Sequence, residues 1–228
     1  MTIGRSMRLL QFGDSLLPVG SFSFSNALEA AVQEGVVRDA ATLTEFVRSC
    51  TRRAATTDGV ALLQAHRAAS AADLGGITRA DHAVFERKLG EEMRTMTIRM
   101  GRKLAEVAET TVQAPMLGCW LGQVREGVTP GTYPVGLGVL MAELDSPEYD
   151  AFAIHQYGTA TTTLGAALRL MRLDHRQAQS ILYAINGDVE SDYAGVRRAA
   201  LDDMASFAPM ADILGAIHVK STVRMFMS

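Results

Sequence analysis

The sequence is poor in several features that would each have marked a function. It has only two cysteines, Cys50 and Cys119. Neither sits in a C-x-x-C or beside a histidine at zinc spacing, which excludes a disulfide framework and leaves at most one bridge between them. Charge of one sign is not in excess: 22 Lys plus Arg face 25 Asp plus Glu in 228 residues, a formal net charge of −3. A dedicated nucleic-acid binder carries a strongly basic face, so that class is disfavoured. Long apolar runs are missing too. The one extended charge-free stretch, Ala151 to Leu168, contains His155, Gln156, Tyr157 and several threonines, which suits a buried central helix and not a membrane span. The N-terminus lacks an apolar core of signal-peptide length, and with so little cysteine the expected location is the cytoplasm.

Catalytic and phosphate-binding motifs are equally scarce. There is no G-x-x-x-x-G-K-[ST] loop, no G-x-S-x-G elbow and no S-x-x-K. Gly136-Leu137-Gly138 is a G-x-G fragment with no strand before it, so helix packing explains it better than a dinucleotide. The five histidines, His66, His82, His155, His175 and His218, form no H-x-H or H-E-x-x-H. No metal ligand set and no cofactor are therefore expected. His155 reads as a core residue, His218 as part of a polar tail. The carboxylate pairs Glu91-Glu92 and Asp202-Asp203 read as solvated helix faces.

What the chain does have is helical period almost everywhere. Thr42-Leu43-Thr44-Glu45 has the form of a capping box, and Leu43, Phe46, Val47, Cys50 and Ala54 follow on one face. A second helix is expected from Asp58. Gly75-Gly76 is a break, with Thr78 or Asp81 as the next cap. Phe85, Leu89, Met93, Met96, Met100, Leu104 and Val107 make a narrow apolar seam on one long helix, bent at Gly90 or Gly101. The methionines suit a core or an adaptable interface better than a soft-metal site. Pro115 opens another helix, Ser146-Pro147 caps the next, Asp174 the one after, and a last helix follows Pro209. The expected fold is a single all-α domain over residues 1–228, a bundle of about eight to ten helices. Such a chain, with adaptable Met seams and an apolar tail at Met225, Phe226 and Met227, is a candidate interaction protein.

The most distinctive segment is DSLLPVGSFSFSNALE, Asp14 to Glu29. It resembles the opening motif of the urease accessory protein F (UreF) family, D-x-x-x-P-x-G-x-F-x-x-S-x-G-L-E. Asp14, Pro18, Gly20, Phe22, Ser25, Leu28 and Glu29 match. Ala27 replaces the family's glycine, so ordinary helical backbone is expected there. Arg94 to Leu104, with Met100-Gly101-Arg102, is similar to the family's R-x-x-x-x-x-M-G-R helix. Leu168-Arg169-Leu170 and Gln177 to Leu182 resemble a further region, in which Asp174-His175 departs from the family's Gly-Gln. The end of the chain resembles the family's C-terminus through Phe207, Pro209, Asp212, Ile213, His218, Arg224, Phe226 and Ser228.

The resemblance implies an all-helical, homodimeric, non-enzymatic chaperone for nickel insertion. It would bridge UreD (UreH) and the GTPase UreG, act on apo-urease and regulate GTP-dependent nickel incorporation. No nucleic-acid or membrane partner is implied. The partner-binding residues would be Phe22, Glu29, Arg169, His218, Arg224 and Phe226, with a C-terminal tail from about 215 to 228 ordering against UreD and Arg169 near the GTPase. Asp14, Pro18, Gly20, Ser25, Met100, Gly101, Arg102, Pro209 and Asp212 would be structural. The rival reading is an all-α cofactor-binding enzyme with a pocket around His155 and Tyr157.

Overall fold

A computed structural model describes residues 3–14, 16–206, 208–220 and 225–226. Among these the chain is helical throughout, with no strand. The helices are α1 (Ile3–Gly13), α2 (Leu28–Gln33), α3 (Ala40–Ala54), α4 (Val60–Ser70), α5 (Leu74–Glu86) and α6 (Glu91–Thr111). They continue with α7 (Pro115–Arg125), α8 (Tyr133–Glu143), α9 (Glu148–Leu170), α10 (His175–Asn186), α11 (Val189–Val196) and α12 (Pro209–Lys220). Phe207, Arg224 and Ser228 of the C-terminal motif, and Met227, lie outside the described residues.

Helix α8 is the hub because it is apolar all round: Pro134 to Met141 are buried without interruption, as a helix surrounded by others must be. Helices α4, α6 and α9 pack on it. Its Gly138 meets α4 so closely that a Cβ would lie 2.4 Å from the Leu62 carbonyl oxygen, so the G-x-G fragment is indeed a helix-packing device. The expected central helix is α9, and it joins two apolar clusters. Ala151 and Phe152 belong to the larger one with Trp120, Leu137 and Leu140. Ala160, Leu164 and Ala167 belong to a second, with Leu28, Leu43, Val47, Leu182 and Phe226.

Several helix boundaries differ from the sequence reading, each for a local reason. Asp39 caps α3, its Oδ1 accepting from the Thr42 amide at 2.8 Å while Thr42 Oγ1 accepts from the Asp39 amide at 3.1 Å. Thr42 is thus the third helical residue of the box and not its cap. No break precedes Asp58: α3 runs through a π-helical stretch, Ala55–Gly59, straight into α4. Asp73, not Thr78 or Asp81, caps α5, so Gly75 and Gly76 lie within its first turn. Pro147 occupies the cap position of α9, and the Ser146 hydroxyl is buried without a hydrogen-bond partner. Asp174 caps α10 as expected, in a box with Gln177.

The seam expected to form one helix is split. Residues 87–90 separate α5 from α6 because Lys88 turns inward, only 6% exposed, to an ion pair with Asp58 at 2.7 Å. Gly101 does not bend α6; it admits the chain before α8. A Cβ there would lie 2.2 Å from the Gly131 carbonyl oxygen and 2.6 Å from the Thr132 carbonyl carbon. That chain is held from the other side by Asp81, which is fully buried. Its carboxylate accepts from Trp120 Nε1, the Thr129 and Thr132 hydroxyls and the Gly131 and Thr132 amides. Anchored through four of these donors, the loop cannot retreat. Gly101→Ala is therefore expected to destabilise the protein by about 3 kcal/mol, the upper range of overpacking costs. In a thermal melt this lowers Tm by roughly 6–12 °C for a chain of this size.

Candidate functional site

The residues singled out near the two chain ends lie far apart in sequence, and the fold brings four of them together with Arg169 of α9. The Asp14 to Glu29 segment turns at Pro18 and Gly20, the latter at φ +82°. It then forms a short 3-10 turn, Ser21–Ser23, that leaves the Phe22 ring 74% exposed. Ser25 is buried, and its hydroxyl lies 3.4 Å from the Glu29 amide. Helix α2 is entered through Asn26 and Ala27, both left-handed, with Ala27 at φ +65°. The expectation of ordinary helix at Ala27 is wrong: the backbone takes a conformation that favours glycine and keeps it despite the Cβ. Asn26 Nδ2 secures the turn by donating to Thr163 Oγ1 of α9 at 3.0 Å.

This turn places the Glu29 carboxylate in the interior, where it is nearly inaccessible to solvent. Its Oε1 accepts from the Met225 amide at 2.7 Å, and its Oε2 from the Phe226 amide at 3.0 Å and faces His218 Nε2 at 3.0 Å. His218, on α12, has no exposed side-chain surface, so the reading of it as a polar tail residue is corrected. Its Nδ1 lies 3.0 Å from Glu92 Oε2 at the start of α6. Carboxylate oxygens thus face both nitrogens of the ring. Burial acts to raise the Glu29 carboxyl, but the two amides and His218 more than offset it, and the group sits below the usual carboxylate range.

The same latch seats Phe226, which is buried in the second apolar cluster. The Arg169 guanidinium lies over its ring, 4.1 Å from the centroid, and Arg169 Nη2 donates to the Phe22 carbonyl at 2.7 Å. Phe22, Glu29, Arg169, His218 and Phe226 thus form one assembly; Arg224 lies outside the described residues. The site residue missed was Glu92. Adjacent carboxylates on an amphipathic helix look solvated, and nothing local in the sequence shows that a histidine 126 residues away will cover one of them.

Beside the latch is a cleft of about 1540 Å³. Met93, Met96, Phe46 and Ile154 line its walls, and Asp58, Lys88, Tyr133 and His155 also border it. His155 is buried as expected, yet its Nδ1 has no hydrogen-bond partner. Burial depresses its basicity, with Asp58 opposing and Lys88 reinforcing. Tyr157 lies on the exposed side of α9. Cys50 borders the cleft too, and burial pushes its thiol up to about 11. Both cysteines are free. Among the described residues no cluster of three or more His, Cys, Asp or Glu is placed to hold a metal ion, and no helix is long and apolar enough to cross a membrane.

Comparison with known proteins adds to this geometry. Residues 37–186 match the model of the UreF family. The chain is 53% identical over 222 residues to urease accessory protein UreF 2 of Brucella canis, covering 97% of this chain and 91% of that one. The chain belongs to the UreF family. It is also 53% identical to urease accessory protein UreF 1 of Brucella melitensis, with 97% and 92% covered. To urease accessory protein UreF of Yersinia enterocolitica it is 48% identical, with 96% of each chain covered. The family model spans α3 to α10, whereas Glu29 and His218 lie on either side of that span. The pairwise likeness covers 96–97% of this UreF-family chain.

Two outcomes follow from the latch. Ala27→Gly relieves the left-handed strain and is expected to raise stability by about 0.5–1 kcal/mol in denaturant unfolding, the Ala penalty less the entropy cost of glycine. Glu29 binds its proton more weakly folded than unfolded. Its stabilising contribution is therefore complete above the ordinary carboxylate value near ~4.3 and disappears as pH falls through the lowered folded value. Unfolding free energy measured between pH 7 and pH 3 is expected to show this loss in the wild type. Glu29→Gln is expected to be less stable at neutral pH and to lack that acid-linked component.

Proposed function

We propose that this chain is a non-enzymatic urease accessory protein acting in urease maturation. It bridges UreD (UreH) and the GTPase UreG on apo-urease and regulates GTP-dependent nickel incorporation. The observation that carries this reading is the near full-length identity to proteins named urease accessory protein UreF. The convergence of Phe22, Glu29, Arg169, His218 and Phe226 supports it, because these residues join both chain ends to α9 in one assembly that leaves Phe22 exposed.

In this reading the face around the latch receives the partners. The exposed Phe22 ring and the Arg169 guanidinium are the residue types that dominate interface energies. Phe226, seated on its own domain here, shapes that face from beneath, so a partner that engages the tail exchanges one set of contacts for another. The protein acts as a homodimeric scaffold in the cytoplasm, and the chemistry of nucleotide hydrolysis belongs to the GTPase.

The test is co-expression of the tagged chain with its cognate UreD and UreG, followed by size exclusion. A stoichiometric complex is expected for the wild type. Phe226→Ala is expected to weaken UreD capture about 30-fold, the effect of a hot-spot residue, and Arg169→Ala to lower UreG retention. Unchanged UreD affinity in Phe226→Ala refutes the role of the tail. A soluble chain that captures neither partner refutes the scaffold reading.

A further inference from the structure

Helix α12 is attached in an unusual way. The helix against which it packs most extensively is the six-residue α2. Of its apolar side chains only Leu214 is buried, while Met210, Ile213 and Ile217 point to solvent. One flank of the helix borders the cleft through Met210, Asp212, Gly215, Ala216 and Val219. Its remaining attachments are polar and discrete. Ahead of the helix, the Ala205 amide donates to the Thr56 carbonyl at 3.1 Å, and Thr56 Oγ1 donates to the Ala205 carbonyl at 2.7 Å. Near its start Arg53 pairs with Asp212 at 3.3 Å. Near its end His218 spans Glu29 and Glu92.

We infer that α12 is a lid over the Met-lined cleft, pivoting at the Thr56–Ala205 contact and clasped by Arg53–Asp212 and by the Glu29–His218–Glu92 bridge. The apolar area that holds a helix shut sets the cost of lifting it, and within α12 that area is little more than Leu214, with Phe226 seated beyond its end. The clasps carry the rest, and each joins α12 to a wall of the cleft: Arg53 to α3, Glu92 to α6. Lifting the lid opens the way to His155, the Asp58–Lys88 pair and Cys50, which border the cleft, while leaving the larger apolar cluster, around α4 and α8, untouched. This inference does not depend on the identity of any partner.

The two native cysteines report on it in the full-length chain. Cys119 is exposed on α7, away from the cleft, and Cys50 borders it. Pulse labelling with N-ethylmaleimide, read per site by mass spectrometry, is expected to modify Cys119 quickly and Cys50 slowly in the wild type. The double variant Asp212→Asn with His218→Gln is expected to accelerate Cys50 at least tenfold and leave Cys119 unchanged. Gly101→Ala, which weakens the other cluster, is the control and should leave Cys50 slow. A Cys50 rate unchanged in the clasp variant, or raised equally by Gly101→Ala, overturns the lid. The wild type alone gives an independent reading should the variant fail to fold. Cys50 labelling in sub-denaturing urea should rise with a dependence well below that of global unfolding; a slope equal to the global one overturns the inference.

Discussion

One buried carboxylate organises both ends of this molecule. Glu29 is taken out of water by the fold, at a cost that burial alone makes prohibitive for an unpaired charge. It is retained because three groups converge on it: the Met225 and Phe226 amides and the His218 ring. None of the three belongs to the segment that supplies Glu29. The first motif of the chain is thus completed only by the last, and the left-handed turn at Asn26 and Ala27 aims the carboxylate at that junction.

Dependence on one charged group makes the arrangement specific without making it strong. Hydrogen bonds to a charged group contribute more than neutral ones, and their loss leaves the charge unsolvated. The latch is therefore either complete or costly, with little in between. His218 extends the effect, since the same ring satisfies Glu92 and ties the tail to α6 and the cleft wall. Arg169 extends it in the other direction by covering the Phe226 ring and holding the Phe22 carbonyl. Three segments that share no local contact in sequence are coupled through two side chains.

Much of the architecture was legible in the sequence. The charge-free stretch Ala151 to Leu168 identified α9 as the core helix, and the helical period the all-α class. Asp174 and Pro115 marked helix starts, and the motif residues at both ends proved to be neighbours. What failed did so for one physical reason, that polar residues were assigned to surfaces and caps by local pattern. Asp81 looked like a cap and is a buried five-donor anchor. Lys88 looked like the polar side of a long seam and instead breaks it to reach Asp58. Glu92 looked solvated and binds His218. Periodicity reports which side chains avoid water, but it is silent on a polar group whose partner is 30 to 126 residues away. Ala27 shows the complementary case: the departure from the motif glycine was visible, yet its meaning depended on a backbone torsion that the tertiary structure imposes.

The division between the two apolar clusters explains why the polar contacts matter where they do. The larger cluster, around α4 and α8, is closed by side-chain volume and by glycine contacts such as Gly138 on Leu62, which admit no slack. The second cluster ends at the short α2, the tail and α12, where little apolar area remains to be buried. A surface assembled from such elements is held by directional bonds, and directional bonds can be exchanged for those of a partner at small net cost. A tightly packed apolar closure offers no such exchange. In this chain the latch residues stand on the part of the fold where polar contacts replace packing, so the two chain ends can rearrange while the core around α4 and α8 stays closed.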